Sequence, residues 1–246
     1  MHSLSLSVQQ QLCRSRLLRK MKSFDMEKLT LGSETVDSEL YLALGVTESG
    51  KGVTGTHRLL SLLSSLLERS VQKNEKLLDS MKKKDVVTVF HGLRAPTLSI
   101  HQYIDRIFKY SSCSPSCFVV AYIYMDRFLQ RTDIYLTSLN VHRLLITSVM
   151  VAAKFLDDAF FNNAYYAKVG GVSLAEMNRL EMKFLFTLDF RLHVTVETFK
   201  SYCLLLEKEA AGGYKIERPI QVCRLKESWP KKDEPKHATT IARYSC

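Results

Sequence analysis

The stretch from Thr137 to Phe155 constrains this chain more than any other. Leu139, Val141, Leu144, Leu145, Ile146, Val149, Met150, Val151, Ala152, Ala153 and Phe155 leave it no continuous polar face. A helix that is apolar on nearly every side is buried all round, so other helices must surround it. Yet Lys154 lies in its last turn, and Glu181 interrupts a second apolar helix between Leu180 and Met182. A charge on a buried helix must be paired, reach water, or await a partner. The third option points to a binding protein.

Helical periods account for the neighbours. Thr56 is placed to cap a first helix over residues 56–84, carrying Leu59, Leu60, Leu62, Leu63, Leu66, Leu67 and Val71. After Pro96, Ile100, Tyr103, Ile104, Ile107 and Phe108 repeat at i, i+3, i+4, i+7 and i+8, one face of a helix. Ser114 followed by Pro115 gives a favoured helix start for a second segment, from Phe118 through Leu129. The apolar helix from Thr137 is the third. A shorter one runs from Phe160 to Val169 and stops at Gly170-Gly171, which reads as a C-cap. Ser173 with Glu176 forms a capping box, with Val172 as its staple, for the fifth. A last helix starts near Thr195 and packs Phe199, Tyr202, Cys203 and Leu206. Val86–Phe90 is the best candidate strand, and it is too short to support a sheet. The expected fold is all-α: a five-helix unit over residues 96–192, with extra helices before it (56–84) and after it (193–213). Residues 1–55 read as a disordered basic leader and linker, and residues 214–246 as a mostly disordered tail.

Charge and composition exclude several functions. The 246 residues carry a net charge of +10, but the basic runs are short and separated, at Arg14–Lys22, Lys82–Lys84 and Lys231–Lys236. No basic stripe is interleaved with aromatics, which argues against direct nucleic-acid binding. No apolar run reaches the roughly 18 uninterrupted residues of a membrane span. Arg14, Arg16, Arg19, Lys20 and Lys22 against the single Asp25 mimic a transit peptide; the preferred reading is a basic leader, with Met26 as an alternative start. The six cysteines include no Cys-x-x-Cys pair, and Cys113 and Cys117 lack companions for a zinc site. They read as reduced thiols. There is no phosphate loop and no His-Glu-x-x-His, and the seven histidines are scattered singly. Asp157-Asp158 suits a helix end. No nucleophile is grouped with a base, so the chain reads as no enzyme, with no cofactor and no metal.

The residues do resemble a known family. Asp126-Arg127-Phe128, Ala153-Lys154-Phe155 and Arg179-Leu180-Glu181 occur in the order and spacing of the cyclin box. Asn140–Leu145, Tyr166–Gly171 and Leu188-Asp189-Phe190 more narrowly resemble the plant P-type (U-type) cyclins, relatives of the yeast phosphate-pathway cyclin. The likeness covers about residues 57–225. It implies a regulatory subunit that binds and activates a cyclin-dependent serine/threonine kinase, in cell-division control or phosphate signalling. The kinase's mobile C-helix carries a glutamate that must pair with the ATP-orienting lysine, and a cyclin favours that arrangement without doing chemistry. By the same resemblance Lys154 and Glu181 bind the kinase, while Asp126 is structural and pairs within the box. An intramolecular role is open to both charges: Lys154 as a C-terminal helix cation, Glu181 paired with Lys183 or Arg179. The arginine that many cyclins supply to this aspartate is missing from Thr97-Leu98-Ser99-Ile100, so Asp126 needs another partner. A cyclin-fold adaptor for transcription or nucleic acid is the alternative. Short basic runs suggest the nucleus as well as the cytoplasm.

Overall fold

A computed structural model describes Leu44, residues 52–82 and residues 85–210. Among these residues it contains seven α-helices and no strand: α1 (Gly52–Met81), α2 (Ile100–Ser111), α3 (Pro115–Gln130), α4 (Val141–Leu156), α5 (Asn163–Gly170), α6 (Leu174–Thr187) and α7 (Val196–Ala210). The expected all-α architecture holds, with α2 to α6 as the five-helix unit. Most of the expected leader, Gly212-Gly213 and the expected tail lie outside the described residues.

The apolar helix is the centre of the fold. Residues 144–153 of α4 are all buried, and α2, α3, α5 and α6 pack around it. Its two polar interior residues bond within the helix. Thr147 Oγ1 donates to the Arg143 carbonyl at 2.7 Å and Ser148 Oγ to that of Leu145 at 2.9 Å, so neither leaves an unmet polar atom in the core. The helix begins at Val141 rather than Thr137. Asn140 closes the turn ahead of it: its Oδ1 accepts the Thr137 N–H at 2.9 Å, and its Nδ2 donates to the Tyr135 carbonyl at 2.7 Å.

The ends of α1 also differ from the expected 56–84. Thr56 does not stand at the helix start, because α1 begins one turn earlier, at Gly52, and Thr56 lies buried inside it. At its other end the helix runs past Val71 to Met81, with Asn74 and Leu78 also packed inward. Leu44, in the segment read as a leader, is fully buried in the main core. It belongs to the apolar run Leu40–Val46, and burying one leucine contributes about 1.5–3 kcal/mol. The Val86–Phe90 segment is loop. It delivers Phe90, fully buried, edge-on to Phe128 with ring centroids 4.9 Å apart.

Local start signals are used in unexpected ways. Ser114 stands before Pro115 as expected, but its hydroxyl donates to Asp157 Oδ1 at 2.9 Å rather than capping its own helix. Its backbone N–H and the Cys117 thiol both reach Asp157 Oδ2. Asp157 is the C-cap of α4, so one carboxylate ties the end of the central helix to the start of α3. Ser173 accepts from the Glu176 N–H, but Glu176 does not return the bond; its carboxylate pairs with Arg143 Nε at 2.6 Å. The full capping box belongs to Ser99 and Gln102, at the start of α2. Gly171 ends α5 with φ +71°, the left-handed conformation that favours glycine.

Candidate functional site

Lys154 and Glu181 are brought together by the packing of α4 and α6. Lys154 Nζ donates to Glu181 Oε1 at 2.7 Å, and their side chains are only 16% and 13% exposed. Neither charge waits alone, and Glu181 bonds to neither Lys183 nor Arg179. Lys154 also lies in the last turn of α4, where the helix dipole favours a cation.

A third side chain completes the cluster. Asn163, the first residue of α5, accepts from Lys154 Nζ and donates through Nδ2 to Glu181 Oε2 at 2.6 Å and to Asn178 Oδ1 at 2.8 Å. Sequence reasoning missed Asn163. Asn162-Asn163 ahead of a short helix signals a cap, and Asn162 is that cap, its Oδ1 accepting the Tyr165 N–H at 3.0 Å. Nothing in the local sequence marks the neighbouring asparagine as a bridge between two other helices.

The connection from α4 to α5 borders this cluster and exposes apolar side chains. Leu156, Phe160 and Phe161 are each more than a third exposed. Phe161 stacks on Tyr165 with centroids 3.9 Å apart, and the Tyr165 hydroxyl donates to the Tyr110 carbonyl at 2.7 Å. The surface therefore joins a largely sheltered ion pair to aromatic area held in place by α2.

The cyclin family model matches residues 56–192, which takes in α1 from Thr56 onward and all of α2 through α6. This chain belongs to the cyclin family. Cyclin-P3-1 of Oryza sativa subsp. japonica is 62% identical over 198 residues, covering 78% of this chain and 84% of its own. Cyclin-U3-1 of Arabidopsis thaliana is 52% identical over 209 residues, covering 84% and 95%. Cyclin-U4-1 of the same plant is 58% identical over 153 residues, covering 62% and 76%. The likeness to plant P- and U-type cyclins read from the motifs therefore stands, and with it a regulatory role.

Within the cyclin fold, Asp126 lies apart from the ion pair. It is 1% exposed on α3, and its Oδ2 accepts from the Tyr202 hydroxyl at 2.5 Å and from Gln130 Nε2 at 2.8 Å. The partner that replaces an arginine is thus a tyrosine on α7, outside the five-helix unit. Asp126 Oδ1 has no hydrogen-bond partner. Burial raises the carboxyl pKa to about 7, against the opposing effects of Tyr202, Gln130 and Arg127. Among the described residues no group of three or more His, Cys, Asp or Glu is placed to hold a metal ion, and no helix is long and apolar enough to cross a membrane. The three described cysteines, Cys113, Cys117 and Cys203, are buried free thiols.

Proposed function

We propose that this cyclin docks a cyclin-dependent serine/threonine kinase through Lys154, Glu181 and the neighbouring apolar side chains, and favours the kinase's active arrangement. The observation that carries this reading is the closed, largely sheltered Lys154–Glu181 pair beside exposed Leu156, Phe160 and Phe161. An ammonium has three protons; two are given to Glu181 and Asn163, leaving one for a partner's carbonyl. Each Glu181 oxygen accepts one bond and keeps a lone pair for a partner's N–H. One donor beside acceptors suits a peptide backbone, so a partner element is recognised by its main chain as well as by its shape. The aromatic area supplies burial. The protein would do no chemistry. By binding the active kinase better than the inactive one it shifts the kinase population toward the state in which the C-helix glutamate meets the ATP-orienting lysine. Cell-division control and phosphate signalling are both served by that act.

The test is a set of dissociation constants for a panel of the cyclin-dependent kinases of the protein's own organism, with wild type, Lys154→Ala and Glu181→Ala. Truncating one member of a sheltered charge pair should cost ~2–5 kcal/mol, a loss of roughly 30-fold or more. Equal binding by all three proteins sinks the site. No binding by the wild type sinks the reading.

A further inference from the structure

We infer that Asn163 is the positioning residue of this docking site, an inference that rests on the kinase-docking reading above. Its carboxamide touches both charges: the oxygen accepts from Lys154, and the nitrogen donates to Glu181 Oε2. Charge fixes its orientation. Flipped, the amide would set N–H groups against the ammonium and its oxygen against the carboxylate. The second amide proton goes to Asn178 Oδ1 on α6. Both protons are therefore spent inside the chain, and Asn163 keeps no donor for a partner. Its oxygen accepts one bond and keeps one lone pair, so a positioning role is told from a direct contact by whether its effect depends on Lys154.

The geometry gives the positioning role a mechanism. A single bond between a lysine and a glutamate leaves both side chains free to swing about it. A second strut from a third helix removes that freedom, and Asn163 sits at the first position of α5, between the end of α4 and the middle of α6. It holds the free ammonium proton and the free carboxylate lone pairs in one relative placement. Asn163→Ala removes the strut. Asn163→Asp keeps the size but puts a second carboxylate where the nitrogen now lies 2.6 Å from Glu181 Oε2, and like charges that close drive the groups apart.

The experiment measures dissociation constants for the same kinase panel with wild type, Asn163→Ala, Asn163→Asp, Lys154→Ala and Lys154→Ala/Asn163→Ala, with thermal melting of each. Loss of hydrogen bonds to charged groups predicts about tenfold weaker binding for either Asn163 variant. Acting through Lys154, Asn163→Ala should cost clearly less in the Lys154→Ala background than in wild type. If Lys154→Ala weakens binding while both folded Asn163 variants bind as wild type, the positioning role is overturned and the docking site stands. The same holds if the two alanine effects add in full, since that marks a structural role independent of Lys154. Should Asn163→Ala fail to melt cooperatively, Asn163→Asp, which preserves volume, carries the comparison. If Lys154→Ala itself binds normally the docking site falls, and if wild type binds no kinase in the panel the kinase reading falls; either outcome takes this inference with it.

Discussion

A carboxylate buried beside a tyrosine makes Asp126 a pH-sensitive point of the fold. Its pKa in the folded chain is raised to about 7 from a reference of 3.8, chiefly by burial. Between those values the folded chain holds a proton that the unfolded chain releases. Stability therefore falls as pH rises through this window, and levels off above it. Asp126→Asn removes the ionisable group at nearly constant shape. Melting temperatures between pH 5 and pH 8 should drop more for wild type than for Asp126→Asn, and parallel curves would show that Asp126 does not titrate in this window. Tyr202→Phe takes away the 2.5 Å hydrogen bond and leaves a charged group short of donors. It should cost about 1–3 kcal/mol at pH 8, read by urea unfolding, and less at pH 5. The opposite order would show that the hydroxyl supports the protonated form instead.

Helices were the most legible elements, because apolar spacing of 3.6 reports a buried face directly. Ile100, Tyr103, Ile104 and Ile107 are all buried as that spacing requires. Ends were less legible, since they depend on partners far away in sequence. Glu176 completes a capping box by sequence, but Arg143, 33 residues earlier, claims its carboxylate. Lys154 and Glu181 were visible as misplaced charges, yet their pairing across 27 residues exists only once α4 and α6 pack. The end of α5 was read correctly from Gly170-Gly171, and its two glycines are needed for different reasons. At Gly171 a Cβ meets nothing within 4 Å, but φ is +71°; at Gly170 a Cβ would come within 2.9 Å of Ile146 Cγ1, in the buried centre of α4. Asparagine tolerates the left-handed region, so Gly171→Asn should lose less stability than Gly171→Ala, itself about 1 kcal/mol worse than wild type. At Gly170 the order reverses, because the larger side chain collides harder. Denaturant midpoints of the four variants check both orders; equal losses at both sites would mean that Ile146 yields freely.

At the scale of the molecule, the folding unit is larger than the five-helix box. The family match ends at residue 192, but α7 beyond it buries Tyr202, Cys203 and Leu206 and donates to Asp126. It also packs on α1, with Arg58 paired to Glu207 at 2.9 Å. A chain ended at Leu192 would expose the α1 and α3 surfaces that α7 covers. It should bind a hydrophobic dye and lose its cooperative melt; a sharp melt close to that of the full chain would show that α7 is dispensable. The same integration bears on the ion pair. A lysine or glutamate that becomes fixed gives up as much as about 1.5–2 kcal/mol of rotamer entropy. Lys154 and Glu181 are already held against each other and against Asn163 when the chain folds. That entropy is charged to folding, so association with a partner need not lose it again.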